Sequence, residues 1–274
     1  MENNYTLLTG LDSYDTPENL PQSRLFKLMF NSRWYFYAVN FGVFCRTGRL
    51  GQLGKLDLEA QIRMSGINLR LTERCGSRVH VRGREHLRAL NGRPVVLMGN
   101  HMSLLETGVF HAVAREYVDF AFVVKDSLMR VPYFKDILKS IGNIPVERKY
   151  PREDIKTVLT EGKRLLSEGK SLIVFPQSTR TATLEPDKFN SLGVKIAKSA
   201  GVPVVPFALK TDFLTQGKGI FRDLGPVHPG RETWFEFGPA MEVTGNGKEQ
   251  LQQTIEFIQD RLEKWFKNES RELK

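Results

Sequence analysis

From residue 78 onward the chain alternates short apolar runs with longer amphipathic stretches, and this alternation constrains its fold more than any other feature. The runs Pro94 to Met98, Asp119 to Val124, Ser171 to Phe175 and Pro203 to Leu209 are continuous rather than alternating, as expected of strands buried on both faces. Shorter apolar segments at Val79 to Val81, Ile144 to Val146 and Thr233 to Phe237 read as further strands. Between them, Ser103 to Glu116, Arg152 to Glu168 and Ser191 to Ala200 carry helical periodicity, the last two closed by Gly169 and Gly201 at the C-terminal cap. An amphipathic stretch from Lys248 to Phe266 closes the chain. Strand–helix alternation of this kind predicts an α/β fold, a mostly parallel sheet flanked by helices on both faces. Ligands in such sheets collect beyond the carboxyl ends of the strands.

The first 77 residues differ. Residues 1–20 are rich in Asn, Asp, Glu and Pro and read as a flexible tail, with neither the basic start nor the apolar core of a signal peptide. Residues 21–77 read as a helical segment whose aromatic cluster includes Phe26, Phe30, Trp34, Tyr35, Phe36, Tyr37, Phe41 and Phe44. Only twelve uncharged residues separate Arg33 from Arg46, too few for a bilayer span of about 20. Aromatic rings flanked by Arg24, Lys27, Arg33, Arg46 and Arg49 suit a helix lying in the headgroup region of a membrane. The net charge of +9 favours an anionic partner. Nucleic acid fits poorly, because no zinc-finger spacing or RNA-recognition motif is present and the aromatics cluster in one segment. Cys45 and Cys75 make neither a disulfide framework nor a zinc site. Gly48, Gly51 and Gly54 do not have the dinucleotide-binding spacing.

Three segments with reactive side chains begin where predicted strands end. In Gly99-Asn100-His101-Met102-Ser103-Leu104-Leu105-Glu106, a histidine at a strand-to-helix turn is a natural base for a hydroxyl proton. Glu106 lies five positions on, so it reaches the ring only if His101 precedes the first helical turn. Ser103-x-x-Glu106 has the form of a capping box, which would place His101 outside the helix; it would also account for Glu106 as a cap alone. In Phe175-Pro176-Gln177-Ser178-Thr179-Arg180-Thr181, an apolar strand leads into small polar residues and an arginine, a loop able to hold an anion or an oxyanion through its backbone N–H groups. Lys125, Arg148 and Arg180 follow three different strands and together suggest a phosphate site.

In order and spacing these segments resemble the glycerolipid acyltransferases, in particular the 1-acylglycerol-3-phosphate (lysophosphatidate) acyltransferases. The family's Asn-His, its Ser two residues later and its Asp five after the His are met by Asn100, His101 and Ser103, with Glu106 in place of Asp. Gly142, Ile144 and Arg148 resemble the second motif. Phe175, Pro176, Thr179 and Arg180 match the third, where Gln177 and Ser178 replace Glu and Gly. Val202-Pro203-Val204-Val205-Pro206 matches the fourth. The resemblance covers roughly residues 78–240 and implies a glycerol-phosphate-acyltransferase-like domain over 78–274. It implies His101 as base, Glu106 as its partner, and Arg148, Arg180, Thr179, Ser178 and Lys125 at the substrates. It further implies acyl transfer from acyl-CoA or acyl carrier protein to a hydroxyl of a lysophosphatidate-like glycerolipid, in phospholipid biosynthesis. No metal or other cofactor is expected, and the location would be peripheral, on the cytoplasmic face of a membrane. Gln177 and Ser178 leave two alternatives, a lipid-binding protein on the same fold without catalysis, or an acyltransferase for a different lysolipid.

Overall fold

The computed structural model describes residues 7–272 except Arg148. In chain order the strands are β1 (Tyr14–Asp15), β2 (Val79–Arg82), β3 (Val96–Gly99), β4 (Phe120–Lys125), β5 (Ile144–Val146), β6 (Ser171–Val174), β7 (Val204–Lys210) and β8 (Thr233–Phe237). The helices are α1 (Arg24–Leu28), α2 (Arg33–Gln52), α3 (Leu58–Arg74), α4 (Arg84–Arg88), α5 (Leu105–Ala114), α6 (Phe134–Ile141), α7 (Pro151–Ser167), α8 (Leu192–Ala200) and α9 (Lys248–Glu272). Among the described residues one eight-stranded sheet runs in the order β1-β2-β8-β7-β3-β6-β4-β5. Strands β7, β3, β6, β4 and β5 are mutually parallel, the β7–β8 and β1–β2 pairs are antiparallel, and β2 is parallel to β8. The expected α/β sheet, mostly parallel and flanked by helices, is the fold of this chain.

Continuous apolar strands are needed because both faces are covered. On one face Leu97, Ile173, Val205, Phe207 and Leu209 pack with Phe110 and Val113 of α5 and with Leu69 of α3. On the other, Val96, Met98, Leu172, Val174 and Val204 pack with Val158 and Leu165 of α7 and with Ile196 of α8. Successive residues of each strand thus enter opposite cores, as the strand's two-residue period requires. The helix stops are local. Gly201 caps α8 in the left-handed conformation at φ +65°, and Gly142 does the same for α6 at φ +78°.

Residues 1–6 of the expected tail lie outside the described residues, and residues 7–20 are anchored at a few buried positions although most of them are exposed. Leu8 and Tyr14 are buried. β1 pairs with β2, with Tyr14 opposite Val81. The fully buried Arg84 donates to the carbonyls of Leu8 and Leu11 and pairs with Glu116 at 2.6 Å. Tyr14 and Thr16 both donate to buried Glu73, each at 2.7 Å. Polar composition misleads here because some of its polar groups, among them Tyr14, Asp15 and Thr16, bond to side chains far along the chain.

Residues 21–77 are largely helical. Asp57 caps α3 by accepting from Ala60 N–H at 2.8 Å, and α3 lies along α5. The aromatics divide by side. Phe26 and Phe36 are buried, whereas Phe30, Phe41 and Trp34 are 95%, 64% and 48% exposed. Among the described residues no helix is long and apolar enough to cross a membrane.

Candidate active site

The carboxyl ends of β3, β6, β4 and β5 lie side by side in the sheet. With neighbouring strands about 4.8 Å apart, the segments that leave them fall within about 14 Å of one another. β3 ends at Gly99, where an added Cβ would sit 2.2 Å from the Phe207 ring, so only glycine lets the two strands close here. Buried Asn100 then clips β7 in both directions: its amide donates to Leu209 O at 2.7 Å and its carbonyl accepts from Leu209 N–H at 2.8 Å. His101 follows, outside any helix.

The His101 ring stacks on Phe175, centroids 4.2 Å apart, at the end of β6. Its Nδ1 is hydrogen-bonded to Glu106 Oε2. Glu106 is fully buried. Its Oε1 accepts from Met102 N–H at 2.7 Å, from Ser103 N–H at 2.7 Å and from Thr211 Oγ1 at 2.6 Å. A buried carboxylate is tolerated when its lone pairs are taken in this way. The contact to Nδ1 fixes that nitrogen as the N–H donor and leaves Nε2 with the free lone pair. Half of the expected capping box forms: Glu106 accepts from Ser103 N–H, but Ser103 Oγ accepts from Leu105 N–H at 3.2 Å, and the helix begins one residue later than expected.

The 176–181 loop is tied to the same turn, because Thr181 N–H donates to His101 O at 2.9 Å. Ser178 stands in the left-handed region at φ +60°, closing a tight turn through Ser178 N–H and Phe175 O at 2.9 Å. Its Oγ accepts from Asn190 at 3.4 Å, and Thr179 Oγ1 donates to Gln177 O at 3.4 Å. Gln177 is buried and donates to Thr181 Oγ1 at 3.1 Å. Of the expected cations, Arg180 lines a shallow depression together with Ser103, Leu104 and Tyr37, and pairs with Asp223 at 2.5 Å. Lys125 is exposed at the end of β4, and Arg148 lies outside the described residues. Burial pushes the Tyr37 phenol up to about 12, outweighing Arg33 and Arg180 nearby, so it stays a neutral donor, to Gly225 O at 2.9 Å. A second depression, between α2, α3 and α5, is lined by Phe36, Asn40, Asn68, Leu105 and Leu214 and adjoins the first through Tyr37 and Leu104. Among the described residues no group of three or more His, Cys, Asp or Glu side chains converges as metal ligands.

Sequence reasoning passes over Thr211 and Asp223. Both are distant in sequence from the groups they touch, and each looks like an ordinary polar residue after a strand or in a loop.

Residues 78–210 match the model of the acyltransferase family. A 1-acyl-sn-glycerol-3-phosphate acyltransferase of Pseudomonas aeruginosa is 28% identical over 194 residues, 69% of this chain and 68% of that protein. Enzymes of the same name from Borreliella burgdorferi and Chlamydomonas reinhardtii are 26% and 31% identical; this chain spans 52% and 38% of their lengths, and the matches take in 49% and 48% of this chain. The crystal structure of the 1-acyl-sn-glycerophosphate (LPA) acyltransferase of Thermotoga maritima superposes with a TM-score of 0.65 at 18% identity, over 88% of this chain and 97% of that one, a likeness of fold. The motif order, the sheet that gathers those motifs at one edge and the family match coincide over residues 78–210, and it is this segment of the chain that is similar to the acyltransferase family.

Proposed function

We propose that the chain moves a fatty acyl group from a thioester to the free hydroxyl of a lysophosphatidate-like glycerolipid, a step of phospholipid biosynthesis. The observation that carries this reading is the imidazole of His101 held by a buried, fully hydrogen-bonded Glu106 where β3 meets the loop after β6. His101 Nε2 takes the hydroxyl proton as the oxygen attacks the thioester carbonyl. Glu106 stabilises the imidazolium that forms. A carbon–oxygen bond is made, the carbon–sulfur bond breaks, and the same proton passes from His101 to the departing thiolate. Ser178 N–H and Thr181 N–H are already engaged within the protein, so the oxyanion falls to the other amides of the loop, those of Gln177, Thr179 and Arg180. Arg180, with Arg148 and Lys125, is assigned to the acceptor phosphate. The protein needs no cofactor of its own, and the donor is acyl-CoA or acyl carrier protein.

The exposed Leu28, Phe30, Trp34 and Phe41, interspersed with Arg24, Lys27 and Arg33, support a peripheral seat on an anionic membrane, assigned to its cytoplasmic face. The test is thiol release from both donor types with a panel of lysolipids. The His101→Ala variant is expected to lose acyl transfer while remaining folded. Turnover equal to that of the unaltered protein would remove the proposal, and lipid binding without thiol release by the unaltered protein would favour a non-catalytic role.

A further inference from the structure

Glu106 Oε1 receives three hydrogen bonds, and they differ in origin. Two come from Met102 and Ser103, in the same turn as the carboxylate. The third comes from Thr211, 105 positions away, just beyond β7. Thr211 is fully buried. Its hydroxyl also accepts from Ser103 Oγ at 3.0 Å, and Ser103 Oγ in turn accepts from Leu105 N–H at 3.2 Å. A hydroxyl has one proton to give. The Ser103 proton goes to Thr211, so the Thr211 proton is directed to Glu106 and the chain has a single polarity, from Leu105 N–H through Ser103 and Thr211 to the carboxylate. Bonds aligned in this way reinforce one another in a buried setting. The Asn100 clip on Leu209 holds β7 in register two residues before Thr211, so the strand end cannot drift from the turn it supports.

We infer that Thr211 is a positioning residue for acyl transfer: it ties the Glu106 carboxylate to the sheet and so sets the plane in which Oε2 meets His101 Nδ1. The local amides can hold Oε1 only relative to their own turn. Thr211 is the donor that belongs to another part of the sheet. Its kinetic consequence rests on the acyl-transfer reading; its structural consequence does not.

The experiment therefore has two arms. Proton NMR of the whole protein follows the His101 Nδ1–H resonance, assigned by its disappearance in His101→Ala. Thr211→Val is expected to shift that resonance upfield or lose it to solvent exchange, and Thr211→Ser is expected to restore it. In the kinetic arm Thr211→Val is expected to lower kcat about tenfold, the loss of one hydrogen bond to a charged group, with KM for donor and acceptor within about twofold of the unaltered protein's. Thr211→Ser recovers most of the rate. Should the valine variant fold poorly, comparing Thr211→Ser with Thr211→Ala isolates the hydroxyl. An unchanged resonance on loss of the hydroxyl, or a serine variant as impaired as valine or alanine, overturns the assignment. Absence of thiol release by the unaltered protein with every donor would count against the acyl-transfer reading, while the NMR arm would still decide the role of Thr211.

Discussion

Replacing Glu106 with Gln isolates the carboxylate's charge from its shape. The side chain keeps its length, so the amide must choose which end faces His101. If its NH2 were turned to the position of Oε1, it would confront three donors: Met102 N–H, Ser103 N–H and the Thr211 hydroxyl. Each buried donor left without an acceptor costs about 1–3 kcal/mol, so that orientation is excluded by several kcal/mol. The carbonyl therefore stays among the three donors and the NH2 points at His101 Nδ1. A donor facing Nδ1 makes that nitrogen the acceptor and moves the ring proton to Nε2, the atom that must be free to take the hydroxyl proton. Where this tautomer error has been made in a histidine–carboxylate pair, turnover falls by about 10⁴-fold. Glu106→Gln is accordingly expected to lower kcat by about 10³–10⁴-fold with the fold intact. The assay is continuous detection of released thiol, with the melting temperature measured alongside. A folded Glu106→Gln enzyme within tenfold of the unaltered rate would refute the role of the pair, because no arrangement of the amide preserves a basic Nε2 at low cost.

Three other expectations concern the loop, the cation and the edge. Ser178 holds a left-handed conformation at φ +60° that costs a non-glycine residue about 1–2 kcal/mol, so Ser178→Gly is expected to raise stability by up to about 1 kcal/mol in denaturant melts; clear destabilisation would show that its bond to Asn190 matters more. Asp223 is exposed but occupies Arg180. Its replacement by Ala is expected to lower KM for a phosphate-bearing acceptor by about two- to fivefold, in line with the small worth of exposed pairs, and to leave an uncharged acceptor unaffected; a rise in KM would contradict the assignment of Arg180. Burial opposes ionisation of Asp15, but hydrogen bonds from His80 and Arg82 prevail and hold its carboxyl below the usual range. The unfolded chain then binds more protons than the folded one in acid. The contribution to β1 docking is therefore complete above the ordinary aspartate value of about 3.9 and lost as pH falls through the lower folded value. Hydrogen exchange of β1 and β2 should show this loss, and Asp15→Asn should remove it.

The sheet was legible because a strand buried on both faces leaves an unbroken apolar run, as at Val95, Val96 and Leu97, all without exposure. The His101–Glu106 pair was legible because both partners sit in one turn, where spacing alone limits the geometry. Contacts across the sequence were not. Nothing near Thr211 signals that its hydroxyl reaches Glu106, and nothing near Asp223 signals Arg180. Arg84 shows the same limit. A charged residue reads as surface, yet this guanidinium is wholly buried because Leu8, Leu11, Val113 and Glu116 supply its acceptors. The residues it anchors look like a tail in sequence for the same reason. A two-residue strand is too short to show any period, and its stability comes from side-chain partners far along the chain.

The sheet's margins carry a consequence for the protein's behaviour at high concentration. One outermost strand, β1, has only two residues, and the other, β5, has three with Pro145 at its centre. Neither offers the long row of unsatisfied amides and carbonyls on which a second molecule could extend the ladder, and a proline removes a donor from what little is offered. Growth of the sheet from molecule to molecule is thereby discouraged at both ends, even though its centre is among the most apolar sequence in the chain. Crowding, where local concentration is high, is the circumstance in which such blunt margins would matter most.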